Sequence, residues 1–204
     1  MKIITVSREF GSGGRELGKR LAEYLGFDYY DSEIVDYVAK NSGLDTHYTE
    51  KILENHGWKN IPITFRGTIG SSGYLQASKV RLLLEQKKVI ENIAALGQDF
   101  VIVGRNADVL LREYHPFNLF VCATPKAKLA RCRARANAKE MLTEKEFLRK
   151  MKEIDHLRAQ TREILSDSAW GARENYHLTL NTSTWEIKEL IPLVADFAKL
   201  WFSK

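Results

Sequence analysis

Apolar positions along the chain change period repeatedly, and each change marks a switch between strand and helix. Ile3-Ile-Thr-Val is a short β-branched run that predicts a strand over 2–6. From Arg15 the period turns helical: Leu17, Leu21, Ala22 and Leu25 share a face, and Gly26 supplies the stop. A second short strand is predicted over 27–30, ending at Asp31, with Ser32 placed to cap a helix over 32–40. Helical periodicity returns over 74–96, and apolar runs predict strands over 100–103 and 117–123. Thr124-Pro125 then makes a helix start. Two basic helices follow, the second opened by the capping box Thr143-Glu-Lys-Glu146. A last strand is predicted over 176–180. Ser183-Thr-Trp-Glu186 reads as a further capping box, opening a helix that carries Ile187, Leu190, Ile191, Val194, Phe197 and Leu200, with Pro192 inside it.

This alternation favours an α/β architecture in which a parallel sheet lies between helical layers. Residues 45–73 break the pattern: one short helix is expected over 48–55, followed by Gly57, Pro62, Gly67 and Gly70. An acceptor-binding flap and a plain surface excursion both fit that composition. With no repeat or low-complexity tract, the expected organisation is one domain over 1–204, with an insert at 41–73 and a basic lid region at 126–173.

Charge sharpens the picture. The net +5 is uneven, because residues 126–173 hold 13 Lys/Arg against 7 Asp/Glu. One segment carries the whole excess, which points to an anionic partner or to a solvated helix face. No recognition motif or row of aromatic platforms supports nucleic acid, and no apolar run approaches the roughly 18 residues of a membrane span. No leader pattern is visible, and Cys122 and Cys132 form neither a disulfide framework nor a metal-ligand spacing. A reducing cytoplasm is the expected setting. The five histidines likewise show no ligand spacing, and Trp170 and Trp185 are expected in the core or at its edge.

The candidate chemistry begins where the first strand meets Gly11-Ser-Gly-Gly-Arg15. Glycine there permits positive φ and close approach of a ligand to the backbone, and the N–H groups opening the next helix attract an anion. Arg15 adds a permanent planar fork suited to phosphate. The segment departs from G-x-x-x-x-G-K-[ST]: Glu9 stands for the first glycine, Arg15 for the lysine and Glu16 for the hydroxyl residue. It also lacks the third glycine of the dinucleotide fingerprint, although Asp31 lies at about the ribose-binding distance of roughly 20 residues. A phosphate loop, a dinucleotide site and a plain tight turn all remain open at this point.

Phosphoryl transfer needs held donor phosphates, a placed acceptor and neutralised charge. Gly104-Arg105 follows an apolar strand, which sets a guanidinium at the carboxyl edge of the sheet. Arg131 and Arg135, four apart, are suited to close over phosphates, and Asp155 and Arg158, three apart, present a carboxylate and a guanidinium from one face. Each also has a plainer reading, as a surface charge or an ordinary helix pair, and Asp31 and Asp108 also fit helix caps.

Taken in order, these segments resemble the cytidylate kinase-like family, a branch of the P-loop nucleoside monophosphate kinases. The resemblance runs through Ser-Arg-Glu-Phe-Gly-Ser-Gly-Gly-Arg-Glu from Ser7 to Glu16. It continues through Tyr30-Asp31, Val101-Ile-Val-Gly-Arg-Asn-Ala-Asp108, the Asp155/Arg158 pair and Leu180-Asn-Thr-Ser. It implies a three-layer P-loop fold with a helical lid, and transfer of phosphate from ATP with Mg²⁺ to a nucleoside monophosphate, CMP or dCMP first. It further implies that Gly11, Ser12, Gly13, Gly14 and Arg15 bind donor phosphates. Asp31, Arg105, Asp155 and Arg158 contact the acceptor, and Arg131 and Arg135, with Arg162, clamp the transferring group. The family pattern has G-K-G-T where this chain has Gly14-Arg-Glu-Leu, and an aspartate where it has Val103. Glu16 offers Mg²⁺ a carboxylate oxygen in place of a hydroxyl, or else a charge that repels phosphate.

Overall fold

The computed structural model describes residues 1–32, 76–135 and 143–204. The expected helix beyond Ser32 and the insert at 41–73 lie outside these residues. The chain divides into two compact units, Met1–Tyr29 with Gln98–Lys204, and Tyr30–Gly97.

Five strands form one sheet: β1 (Ile3–Arg8), β2 (Asp28–Asp31), β3 (Phe100–Val103), β4 (Phe117–Cys122) and β5 (Leu178–Asn181). Their spatial order is β2-β3-β1-β4-β5, and the sheet is parallel, as the alternating pattern requires. Six helices join them among the described residues: α1 (Gly14–Leu25), α2 (Gln76–Ala95), α3 (Ala107–Leu110), α4 (Pro125–Arg133), α5 (Glu144–Leu165) and α6 (Ile187–Phe202). β1 is central, pairing Ile4 with Val101 of β3 and with Phe117 of β4. The chain segments leaving β1, β3, β4 and β5 therefore all emerge at one edge, where ligands of open α/β sheets bind.

One face of the sheet buries Ile4, Val6, Val101, Val103, Leu119 and Val121 against Leu17 and Leu21 of α1 and Ile187, Ile191 and Val194 of α6. The strand period of two and the helix period of 3.6 meet here in one apolar layer. Gly18 sits in this layer because a Cβ at that position would fall 2.5 Å from Val103 Cγ2. α1 stops at Gly26, whose left-handed φ of 71° lets its N–H cap the Ala22 carbonyl. The second unit contains the end of β2 and α2, whose Val89, Ile90, Ile93 and Ala94 are buried.

The Thr143–Glu146 capping box forms as read, with both reciprocal bonds made. The one expected over 183–186 does not: α6 is preceded by Glu186 without a side-chain cap. Ser183 is used elsewhere. Its hydroxyl accepts from the Thr124 N–H at 2.8 Å and donates to Asn181 Oδ1, which ties the start of α4 to the end of β5. Trp185 lies outside the core, 51% exposed, whereas Trp170 packs edge-on against Phe120.

Candidate functional site

The glycine loop, residues 9–13, connects β1 to α1. Gly11 and Gly13 hold left-handed φ of 74° and 86°, so the turn does need residues without a Cβ. Space is the second reason. A Cβ at Gly13 would lie 2.5 Å from Ile187 Cδ1, one at Gly14 2.5 Å from Arg8 Cβ, and one at Gly11 3.1 Å from both Cys132 Sγ and Lys128 Cβ. The sequence suggests glycines cleared for a ligand. The structure shows them also cleared for α4 and α6.

The loop's backbone is partly engaged. Glu9 N–H donates to the Val121 carbonyl, Phe10 N–H to Asp155 Oδ1 at 2.7 Å, and Ser12 N–H to the Glu9 carbonyl. Among the described residues nothing accepts from the N–H groups of Gly11, Gly13 and Gly14. These donors open α1, where the helix leaves its first amides unbonded and the backbone dipoles favour negative charge. They are the candidate anion cradle. Ser12 helps shape it rather than facing it: its buried hydroxyl donates to the Glu9 carbonyl, and its own carbonyl accepts from Thr182 Oγ1 at 2.6 Å.

Glu9, in the place of a glycine, anchors the loop. Its Oε2 accepts from the Ala123 N–H at 3.1 Å and from Lys128 Nζ at 2.6 Å. Lys128 is only 4% exposed and also faces Asp155 Oδ2 at 3.9 Å. Asp155 Oδ1, besides holding Phe10, accepts from Arg158 Nη1 at 2.9 Å, and the same nitrogen donates to the Arg8 carbonyl at 3.0 Å. Burial pushes the Asp155 carboxyl up from its ordinary range, against the pull of Arg158, the Phe10 N–H and Lys128. A knot of two carboxylates and two cations thus joins the loop to α4 and α5.

The expected lid arginines come to the same loop. Arg131 Nη1 donates to the Gly11 carbonyl at 3.0 Å and Nη2 to the Thr182 carbonyl at 3.1 Å. Burial, then the charge of Arg135, lowers its pKa from the usual arginine value. Arg135 pairs with Glu16 Oε2, while Glu16 Oε1 takes Arg20 Nε at 2.8 Å. Both Glu16 oxygens therefore hold guanidinium groups, and the described residues contain no cluster of three or more metal-ligating side chains. Paired in this way, Glu16 has both carboxylate oxygens engaged. Cys132 packs against Gly11 with its thiol pushed up to about 11 by burial, an inert group at neutral pH.

At the end of β3, Gly104, Arg105 and Asn106 adopt three successive left-handed conformations, with φ of 84°, 56° and 50°. Two non-glycine residues in that region cost on the order of 1 kcal/mol or more each, a strain that the neighbouring packing sustains. Arg15 is the second residue of α1 and half-buried, and Asp31 ends β2 with 2% exposure. Arg162 lies away from the loop, in a fully buried ion pair with Asp108 of α3.

Lys128 and Thr182 bond into this region without having been singled out from the sequence, and Glu9, noted there only as a departure from the motif glycine, anchors the loop. Lys128 carried a legible signal, one helical turn before Arg131 on the same face.

The fold is shared with solved kinases. An uncharacterized protein from Eubacterium ventriosum superposes with a TM-score of 0.71 at 23% identity, covering 98% of this chain and 99% of that one. Shikimate kinase from Bacteroides thetaiotaomicron gives 0.55 at 13% identity over 97% and 98% of the two chains. A sugar kinase from a Janibacter species gives 0.55 at 13% identity, covering 98% and 95%. No protein of curated function matches the chain in sequence. These likenesses establish a P-loop kinase fold, and the model of one family matches residues 3–184. With the glycine loop, the Gly104-Arg105 turn and the Asp155/Arg158 pair all falling within that span, the chain belongs to the cytidylate kinase-like family.

Proposed function

We propose that this kinase-type phosphotransferase moves the γ-phosphate of ATP onto a nucleoside monophosphate, CMP or dCMP first, in the cytoplasm. The observation that carries the reading is the set of unbonded Gly11, Gly13 and Gly14 N–H groups at the start of α1. Arg131 is already bonded to the same loop. Phosphate oxygens accept from those amides, Arg15 adds its fork, and Arg131 and Arg135 neutralise charge from α4. Arg105, Asp155 and Arg158 hold the acceptor. Asp155 does so by exchanging part of its bond to Phe10, which links acceptor entry to the loop. Mg²⁺ supplies further charge neutralisation when it arrives with the nucleotide. Glu16, paired with Arg135 and Arg20, would have to leave Arg135 to offer that ion an oxygen.

A second reading, a nucleotide-binding module without turnover, draws support from the Glu16–Arg135 pair and from the motif lysine replaced by Arg15. The deciding experiment is ADP release from ATP/Mg²⁺ against a panel of nucleoside monophosphates, with an acceptor-free control. Turnover with CMP or dCMP is the expected result, and Arg15→Ala should lower kcat/KM by about 100-fold or more. Silence across the panel with ATP still bound favours the module, and turnover with another acceptor reassigns the substrate.

A further inference from the structure

α6 is sealed on one side only. Ile187, Ile191, Val194, Ala195 and Ala198 are buried in the apolar layer shared with the sheet and α1. On the opposite side Leu193 and Leu200 remain 67% and 61% exposed, and Phe197 42%. Single exposed leucines are ordinary on a protein surface. These three side chains are not scattered: spaced four and then three residues apart, they form one stripe along the helix.

The middle of the stripe is fixed from beneath. The Phe197 ring centre lies 5.6 Å from that of Phe117 at the start of β4. Phe117 in turn lies 6.1 Å from Trp201, which stacks on His177 at 3.8 Å. A ring held in this way loses little freedom when it is covered, and aromatic anchors of that kind dominate the energy of interfaces. The other flank is polar. Lys199 Nζ pairs with Asp196 Oδ1 at 3.2 Å and lies 5.6 Å from the centre of the Tyr24 ring. An apolar centre with a charged rim is the anatomy of a protein interface.

Charge identifies the occupant. Glu189 stands four residues before Leu193, and Lys204 four residues after Leu200. Both are exposed, and the backbone keeps its helical path as far as Lys204, whose N–H donates to the Trp201 carbonyl. The face therefore runs Glu189, Leu193, Phe197, Leu200, Lys204. Reversed, this order is its own complement: the acid meets the base, each Leu193 meets a Leu200, and the phenyl ring meets its own copy. A parallel pairing would instead set like charges against each other at both ends. Antiparallel packing of two identical faces is the isologous arrangement of a two-fold dimer, in which every contact occurs twice, and it also opposes the two helix dipoles. The three apolar side chains expose on the order of 300 Å², the size of the largest apolar patch on a typical monomer. A standard interface takes about 800 Å² from each partner, so the charged rim is covered as well and the association is a modest one.

We propose that the exposed face of α6 is a homodimer interface, in which two copies of this chain pack their α6 helices antiparallel about a two-fold axis beside Phe197. The interface stands whether or not the chain transfers phosphate. Sedimentation velocity of the full chain over about 1–100 μM should show a monomer–dimer equilibrium with a Kd on the order of 10 μM. Leu200→Glu should raise that Kd by about 100-fold, because it sets a carboxylate in the apolar centre. Glu189→Lys should raise it by about threefold to tenfold by facing lysine with lysine. Adding Lys204→Glu to that variant should restore most of the affinity. All three positions are exposed, and circular dichroism with thermal melting confirms that each variant is folded. A wild-type chain that stays monomeric at the top of this range overturns the dimer and leaves the stripe to a foreign partner or to solvent. A dimer that Leu200→Glu leaves intact uses another face and equally overturns it. A double charge swap that recovers nothing of the loss in Glu189→Lys overturns the antiparallel register.

Discussion

α5 carries two charged groups one turn apart, and they serve different ends. Arg162, near its C-terminus, is buried with Asp108 and also donates to the carbonyl and hydroxyl of Ser168. Arg158, one turn earlier, pairs with Asp155, and both retain about a fifth of their side-chain surface. The first pair joins two protein elements and excludes water. In the second, Arg158 bonds the carbonyl of Arg8 at the end of β1, and Asp155 bonds the N–H of Phe10 in the glycine loop. The same residue type at adjacent turns is thus divided by its second contact: the turn at Ser168 in one case, the end of β1 beside the glycine loop in the other.

The two arginines differ most at Arg162. Arg162→Met should cost about 3–5 kcal/mol of stability, because it strands Asp108 in a buried site, as read by urea denaturation. Arg158→Met should cost distinctly less stability while lowering kcat/KM by at least about tenfold, since charge-assisted bonds at the loop are lost. Equal stability losses in the two variants would erase the distinction. Next in size is the Glu9–Lys128 link. A double-mutant cycle with Glu9→Gln and Lys128→Met should give a coupling of about 1–3 kcal/mol, and additive effects would show that the two groups do not act as a pair.

The smallest effect concerns His177, remote from both clusters. Its Nδ1 accepts from the Asn118 N–H at 3.0 Å, its ring stacks on Trp201, and burial lowers its pKa below 6.5. The folded state then binds fewer protons than the unfolded chain. This contribution to stability is present above pH 6.5 and is lost as the pH falls through the lowered folded value. His177→Phe, which keeps a ring and removes the acceptor, should flatten that part of the stability profile relative to wild type.

Much of the fold was legible because strands β1, β3 and β4 are apolar runs with clear ends, and α1 announces both its apolar face and its stop. β5 was placed too early: Tyr176 looks like strand sequence, but it follows a short 3₁₀ turn and spends its ring on Phe120. The Ser183 capping box failed because a hydroxyl bonds whichever amide the fold brings to it, and Thr124 came first. In the site, Arg131 and Arg135 were readable as basic residues four apart. Glu9 and Lys128 were not, because an ion pair buried between distant segments looks in sequence like two surface charges.

The loop is formed from residues near 10 but held by residues near 185. Thr182 bonds the Ser12 carbonyl, and Ile187 fills the space beside Gly13. On a ribosome that synthesises the chain in order, the glycine loop emerges long before these two contacts exist. Nascent chains stalled before α6 should therefore lack a formed glycine loop. The candidate anion cradle is completed late in synthesis, once α6 has closed on the loop.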